Sequence, residues 1–349
     1  MRGWLRYSLS VLGLLAVLQV AAIALVMAFA TLETVDTNWS RQTIFQTDSK
    51  MAVYGSPLVA KGSNQPQVVV LGSSNTTMGI RPDRLAPYLG EVRVHNLSVG
   101  SEKFRAYPQL VDLLFRQTPT QNLHNYVFVF GISYPLTLDE PIERQRMRTS
   151  IDDELQRFWL FSNRNPGSAP RIADRYLSRA LLWCWPFLVP KTLYNRIVRI
   201  LPEVYWFGLA EPVPFSAELS NTVQYSRQQN QDRIDFYNNQ LMDMSGEYNF
   251  DYLMRAVERI TDAGAQVVIV DLPAAQWLKQ ATHHYKDYTK LRKPYIGRLE
   301  KMRNVRYVNI EHGFKDADFY DGIHPRNRIT PDIAKPIAPA IQAALKEIK

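Results

Sequence analysis

Cysteine is almost missing from this chain. Of 349 residues only Cys184 is a cysteine, which excludes an intramolecular disulfide framework and any zinc site built on cysteines. Histidine is scarce as well, at six. His283 and His284 are adjacent, and neighbours on a helix do not share a face, so no metal site is expected there. Glu311-His312 lacks the second histidine of a helical zinc motif, and His95, His124 and His312 read as packed or surface histidines. Neither a metal nor a soluble cofactor is expected. With 16 glycines and 21 prolines the composition is neither fibrous nor of low complexity. No internal repeat stands out. The 46% of hydrophobic residues suffices for a core and argues against wholesale disorder. Lys and Arg exceed Asp and Glu by 41 to 33, a net charge of +8. That excess invites a nucleic-acid partner, but no helix-turn-helix, zinc or RNA-binding signature accompanies it, and none is expected.

Long uncharged apolar runs are also few. One begins at Ser8 and ends at Leu32, with Gln19 its only strongly polar side chain. About 20 apolar residues suffice for a helix to cross a bilayer core. Arg2 and Arg6 precede the run and Glu33 and Asp36 follow it, so the positive-inside rule places the N-terminus in the cytoplasm and the rest outside. Trp4, Tyr7 and Trp39 suit the two interfaces. The rival reading is a cleaved signal peptide, with Ala28-Phe29-Ala30 as a small-x-small site. Either way the bulk of the chain is exported. The expected organisation is a membrane anchor at 1–32, a connector at 33–66 and a catalytic domain at 67–349. That domain would stand on the extracytoplasmic, periplasmic side of the cell's inner membrane.

The remaining chain alternates strand and helix patterns. Gln67–Leu71, Val92–Leu97, Tyr126–Phe130, Gln266–Val270 and Val305–Ile310 are short β-branched or aromatic runs, several of them ended by glycine. Helical spacing marks 103–116 and 330–348. Phe250 to Ala263 reads as another helix, with Gly264 as its stop. This alternation predicts an α/β fold, a doubly wound parallel sheet covered on both faces. Between about 136 and 247 the rhythm is lost. That stretch reads as a mainly helical insertion capping the sheet, rich in Arg, Pro and aromatics. Its Arg144, Arg146 and Arg148 form either a solvated face or a contact for anionic headgroups or polymer. Its aromatic piece around 182–207 suits a core or a membrane surface.

Sites in open α/β sheets form at the carboxyl ends of the strands. Those ends carry Ser73-Ser74-Asn75, Gly100, and Gly131 to Tyr134; the segment after the last strand adds Asp321-Gly-Ile-His324. A serine hydroxyl is a weak nucleophile and needs a base, which His324 can supply. Asp321 can orient the imidazole. Backbone N–H groups of Ser74 and Gly100 can face a developing oxyanion. Ser74, His324 and Asp321 are therefore the candidate triad. Ser73 is the alternative nucleophile and Asp318 the alternative acid. The serines also suit helix capping, and Asp321-Gly322 suits a plain turn.

The ordered set Gly72-Ser73-Ser74-Asn75, Gly100 and Asp321-Gly-Ile-His324 resembles the SGNH/GDSL hydrolase superfamily, over residues 67–135 and 250–335. The resemblance implies a flavodoxin-like sheet, Ser74 as nucleophile and Asp321 with His324 as its partners. Ser73 replaces the Asp of the family's Gly-Asp-Ser. In the third block Gly131-Ile-Ser133-Tyr134 places Ser133 where the family has an oxyanion-binding Asn. With Asn75, Ser133 is a candidate for oxyanion or substrate binding. Together with the N-terminal anchor, the pattern is similar to the membrane-anchored branch that includes the D-alanyl-lipoteichoic acid protein DltD and the alginate O-acetylation proteins. That likeness implies an O-acyltransferase, most simply O-acetylating a cell-envelope or secreted polysaccharide through an acyl-serine. A polytopic membrane-bound O-acyltransferase would be its acyl donor. An esterase or deacetylase using water, and a degenerate polymer-binding scaffold of an acylation complex, are the alternatives.

Overall fold

The computed structural model describes residues 62–100, 103–137, 226–240 and 246–348, with isolated positions before residue 62. Five strands form: β1 Gln67–Leu71, β2 Arg93–Asn96, β3 Tyr126–Ile132, β4 Gln266–Asp271 and β5 Val305–Asn309. All pair in parallel, in the order β2-β1-β3-β4-β5. Every residue of β1, β3 and β4 is buried. Burial on both faces is what continuous Val, Ile and Phe runs require, since an alternating strand would present polar residues to one side. The architecture is α/β and consistent with a flavodoxin-like fold.

From residue 62 onward the described α-helices are α1 Ser74–Gly79, α2 Pro82–Leu89, α3 Ala106–Gln117, α4 Arg227–Asp235, α5 Gly246–Asp262, α6 Gln276–Ala281, α7 His284–Leu299 and α8 Thr330–Lys346. The pleat sorts the core into two layers. Val69, Leu71, Phe128, Phe130, Val267 and Ile269 face one way, against α3, α5 and α7. Val68, Val70, Val127, Val129, Val268 and Val270 face the other way, against α2 and α8. Helices α5 and α8 match the expected positions, and Gly264 follows α5 with φ +80°, the left-handed conformation that glycine adopts without strain.

Two differences from the sequence reading have physical causes. Gly131 does not end β3: it pairs with Val270 inside the sheet, and the strand runs on to Ile132. A side chain there would collide with Thr76, whose Oγ1 would lie 2.2 Å from the added Cβ, so this glycine serves close packing. Helices α2 and α7, not anticipated, carry internal prolines Pro87 and Pro294 that interrupt the usual helix signal.

The expected membrane anchor is described only in part. Residues 7–15 are helical and exposed, and the remainder of Ser8–Leu32 lies largely outside the described residues. Among the described residues no helix is long and apolar enough to cross a membrane. Most of the connector at 33–66 and most of the insertion, with Arg144, Arg146, Arg148 and the aromatic piece, also lie outside them. Within 136–247 the described part includes α4 and a π-turn at Phe236–Gln240.

Candidate active site

In a parallel sheet ordered 2-1-3-4-5 the order in which strands are added reverses between β1 and β3, and the crevice beyond their carboxyl ends is the expected ligand position. Ser73 and Ser74 leave β1 there and Ser133 leaves β3 there. The turn into α1 is tight. A Cβ on Gly72 would sit 2.0 Å from Thr76 Oγ1, so only glycine lets Thr76 nestle between β1 and β3. The loop after β2 runs alongside, since Val99 N–H donates to Gly72 O at 2.9 Å and brings Gly100 in next.

The segment after β5 returns across the carboxyl edge of the sheet. Phe319 and Pro325 form an antiparallel bridge, and Tyr320 N–H donates to His324 O at 3.2 Å, which closes a turn holding Asp321 and His324. Gly322 takes φ +90° at that turn, with its carbonyl accepting from Ala275 N–H at 2.8 Å beyond β4. Arg81 donates to Asn327 at 2.6 Å and Tyr320 contacts Met78 through its hydroxyl at 3.5 Å, so the loop is fastened to α1 and to the turn that follows it.

This places the distant pieces in one chain of hydrogen bonds. Ser74 Oγ lies 2.7 Å from His324 Nε2. His324 Nδ1 lies 2.6 Å from Asp321 Oδ2. The other carboxylate oxygen accepts the backbone N–H of His324 at 2.9 Å and of Ile323 at 3.3 Å. Tyr320 stacks on the imidazole with ring centroids 5.3 Å apart and 14° between planes, fixing the ring against rotation. Asp321 is 1% exposed. Burial alone would push its carboxyl up, but the hydrogen bond and charge of His324 and the charge of Arg233 outweigh it, so the group is held below its ordinary value. It is thus a carboxylate able to keep a proton on Nδ1 and leave Nε2 as the base.

The neighbouring candidates form a second, buried network. Ser73 Oγ donates to Asn75 Oδ1 at 2.6 Å, and Asn75 Nδ2 donates to Ser133 Oγ at 2.6 Å. Asn75 Oδ1 also accepts from Thr76 N–H at 2.9 Å. Asn75 and Ser133 are 2% and 3% exposed, so they brace the strand ends beneath Ser74. Ser73 occupies the position before α1 without capping it through its side chain. Asp318 turns away from the imidazole, accepting from Lys315 N–H at 2.8 Å and pairing with Arg328 at 3.2 Å.

Two participants were not anticipated. Arg233, near the end of α4, donates through Nη2 to Asp321 Oδ2, the oxygen that faces the imidazole. Tyr237, one turn further on, is buried against Arg233, and burial pushes its hydroxyl well up, so it stays protonated. No sequence signal marks Arg233: it sits in a polar run within a stretch lacking periodicity.

A separate polar cluster lies at the ends of β4 and β5. Asp271 accepts from Tyr288 at 3.1 Å and Tyr307 at 2.8 Å and pairs with Arg292. Glu311 pairs with Lys279 at 2.9 Å and with Arg292 at 3.1 Å. Two cations balance two carboxylates and tie α6 and α7 to the sheet. Among the described residues no group of three or more His, Cys, Asp and Glu side chains is arranged to hold a metal ion. His95 is packed beside Gln67 at 2.9 Å, His284 is buried, and His283, His124 and His312 are exposed. The chain matches no protein-family model and no curated protein, so its functional reading rests on this geometry.

Proposed function

We propose that this chain is a serine-dependent O-acyltransferase of the SGNH-like type, tethered by its N-terminal apolar run and acting outside the cytoplasm on a polysaccharide. The observation that carries the reading is the continuous Ser74–His324–Asp321 hydrogen-bond chain at the switch point of the sheet. In this reading Ser74 Oγ attacks an acyl carbonyl while His324 Nε2 takes the hydroxyl proton, giving a tetrahedral oxyanion. The backbone N–H groups of Ser74 and Gly100 are the positions assigned to that oxyanion. Collapse breaks the bond to the leaving group, which His324 protonates, and leaves the acyl group on Ser74. A polymer hydroxyl then attacks the acyl-serine, His324 takes its proton, and Ser74 leaves protonated.

Two features favour a polymer hydroxyl over water as the acceptor. Ser133 stands where an SGNH hydrolase carries an oxyanion-binding Asn, and its hydroxyl instead accepts from Asn75. Losing one such donor costs roughly 10²–10³ in rate in a well-studied protease, which suits a slow, acceptor-driven transfer. The apolar run Ser8–Leu32 would hold the site at the membrane, beside a polytopic acyl donor protein. The test uses the full chain with p-nitrophenyl acetate, alone and with a panel of polysaccharide oligomers. Acetyl transfer to a glycan hydroxyl, with nitrophenol release accelerated by that glycan, is the expected result. Fast release indifferent to every glycan would make the protein an esterase.

A further inference from the structure

The insertion between β3 and β4 supplies a side chain to the triad. Helix α4 is mostly polar and fully buries none of its residues; its one apolar residue, Ile234, and the following Phe236 pack partly buried against the core. It is initiated by a capping box in which Ser226 Oγ accepts from Gln229 N–H at 3.2 Å and Gln229 Oε1 accepts from Ser226 N–H at 2.8 Å. It ends in the π-turn Phe236–Gln240, a widened turn of the kind that recurs at functional sites. Around that turn the segment is fastened to the body. Tyr237 is buried with its ring 5.7 Å from that of Tyr134, and Asn238 donates to Ala281 O at 3.0 Å and accepts from His283 N–H at 3.2 Å. Arg233 and Tyr237, four residues apart, share one face and are hydrogen-bonded to each other.

The geometry points to Arg233 as a positioning residue of the triad, an inference that rests on the acyl-serine reading of the site: its guanidinium holds Asp321 in place and draws on the carboxylate charge, so that Ser74 is activated at lower pH. Two donors compete for one carboxylate oxygen. Asp321 Oδ2 takes both the His324 Nδ1 proton, at 2.6 Å, and the Arg233 donor. A carboxylate shared with a guanidinium stabilises an imidazolium less than an unshared one does. The nucleophile requires a neutral imidazole, so sharing the charge extends activity downward in pH. Among the described residues, the ionisable and polar groups facing this pair are Arg233 and Tyr237 from the inserted segment, Tyr320 from the same turn and Ser74 from α1.

The test is the pH dependence of Ser74 labelling by a fluorophosphonate in the full chain, for wild type, Arg233→Gln, Arg233→Lys and Tyr237→Phe. Arg233→Gln is expected to raise the pH of half-maximal labelling by about one unit, and Arg233→Lys, which keeps the charge but loses the planar fork, by less. A role confined to folding would lower the melting temperature and leave that midpoint in place. An unmoved midpoint in folded Arg233→Gln overturns the inference while the site reading stands. If Arg233→Gln does not fold, an unmoved midpoint in both Arg233→Lys and Tyr237→Phe overturns it equally. Absence of labelling in the wild type sinks the acyl-serine reading instead. The low-field proton resonance of the His324–Asp321 hydrogen bond then decides the point without any reaction: it is expected to respond at higher pH in Arg233→Gln, and an identical response overturns the role of Arg233.

Discussion

Asp321→Asn separates orientation from charge in the triad. The native carboxylate accepts on both oxygens: from His324 and Ile323 backbone N–H at 2.9 and 3.3 Å on one, and from His324 Nδ1 at 2.6 Å and Arg233 on the other. An asparagine can keep its oxygen toward the backbone donors. Its amide N–H₂ then faces Nδ1, which must become an acceptor, and the ring proton moves to Nε2. That proton points at Ser74 Oγ, 2.7 Å away, and the base is lost. The same tautomer change costs about 10⁴-fold in a serine-protease triad, or about 5.5 kcal/mol of barrier. Arg233 also loses a charge-assisted bond, worth about 2 kcal/mol of stability. The assay is the pseudo-first-order rate of fluorophosphonate attachment, followed by intact mass, beside a thermal melt. Labelling within tenfold of wild type in a folded Asp321→Asn protein would refute the orienting role.

Gly131→Ala should destabilise the protein by about 2 kcal/mol or more, because its Cβ would lie 2.2 Å from Thr76 Oγ1 and 2.9 Å from Thr76 Cβ inside a packed sheet. Chemical denaturation checks this, and Thr76→Gly in the same chain should recover part of the loss; an unchanged midpoint in the single variant would contradict the packing described. Asp271 has a defined pH signature. Burial, only partly offset by Arg292 and Tyr307, raises its carboxyl to about 6, above its unfolded value of 3.8. Between those pH values the unfolded chain releases a proton that the folded one keeps, so stability falls as pH rises through this window, by about 3 kcal/mol in all. Asp271→Asn should flatten that fall when unfolding free energies at pH 4 and pH 7 are compared. An equal fall in the variant would mean that another group is responsible.

The strands were legible because a strand buried on both faces must be written as an unbroken apolar run, as in Gln67–Leu71 and Gln266–Asp271. Ser74 and His324 were legible as candidates for a different reason: strand ends are where an α/β sheet exposes chemistry, and Asp-x-x-His carries its own geometry. Their meeting spans 250 residues, which only the sheet order explains. Gly131 misled because glycine reads as punctuation, whereas here it makes room for Thr76. Arg233 was invisible. Its partner lies 88 residues away, and its helix has no apolar stripe to announce which side faces the body.

The central claim is that Ser74 is a nucleophile activated by His324. Site-resolved mass spectrometry of the full chain after fluorophosphonate treatment tests it most directly. Label is expected on the Ser74 hydroxyl in wild type and on neither Ser74→Ala nor His324→Gln. Label on Ser73, label that persists in His324→Gln, or no label on a folded wild-type protein would contradict it.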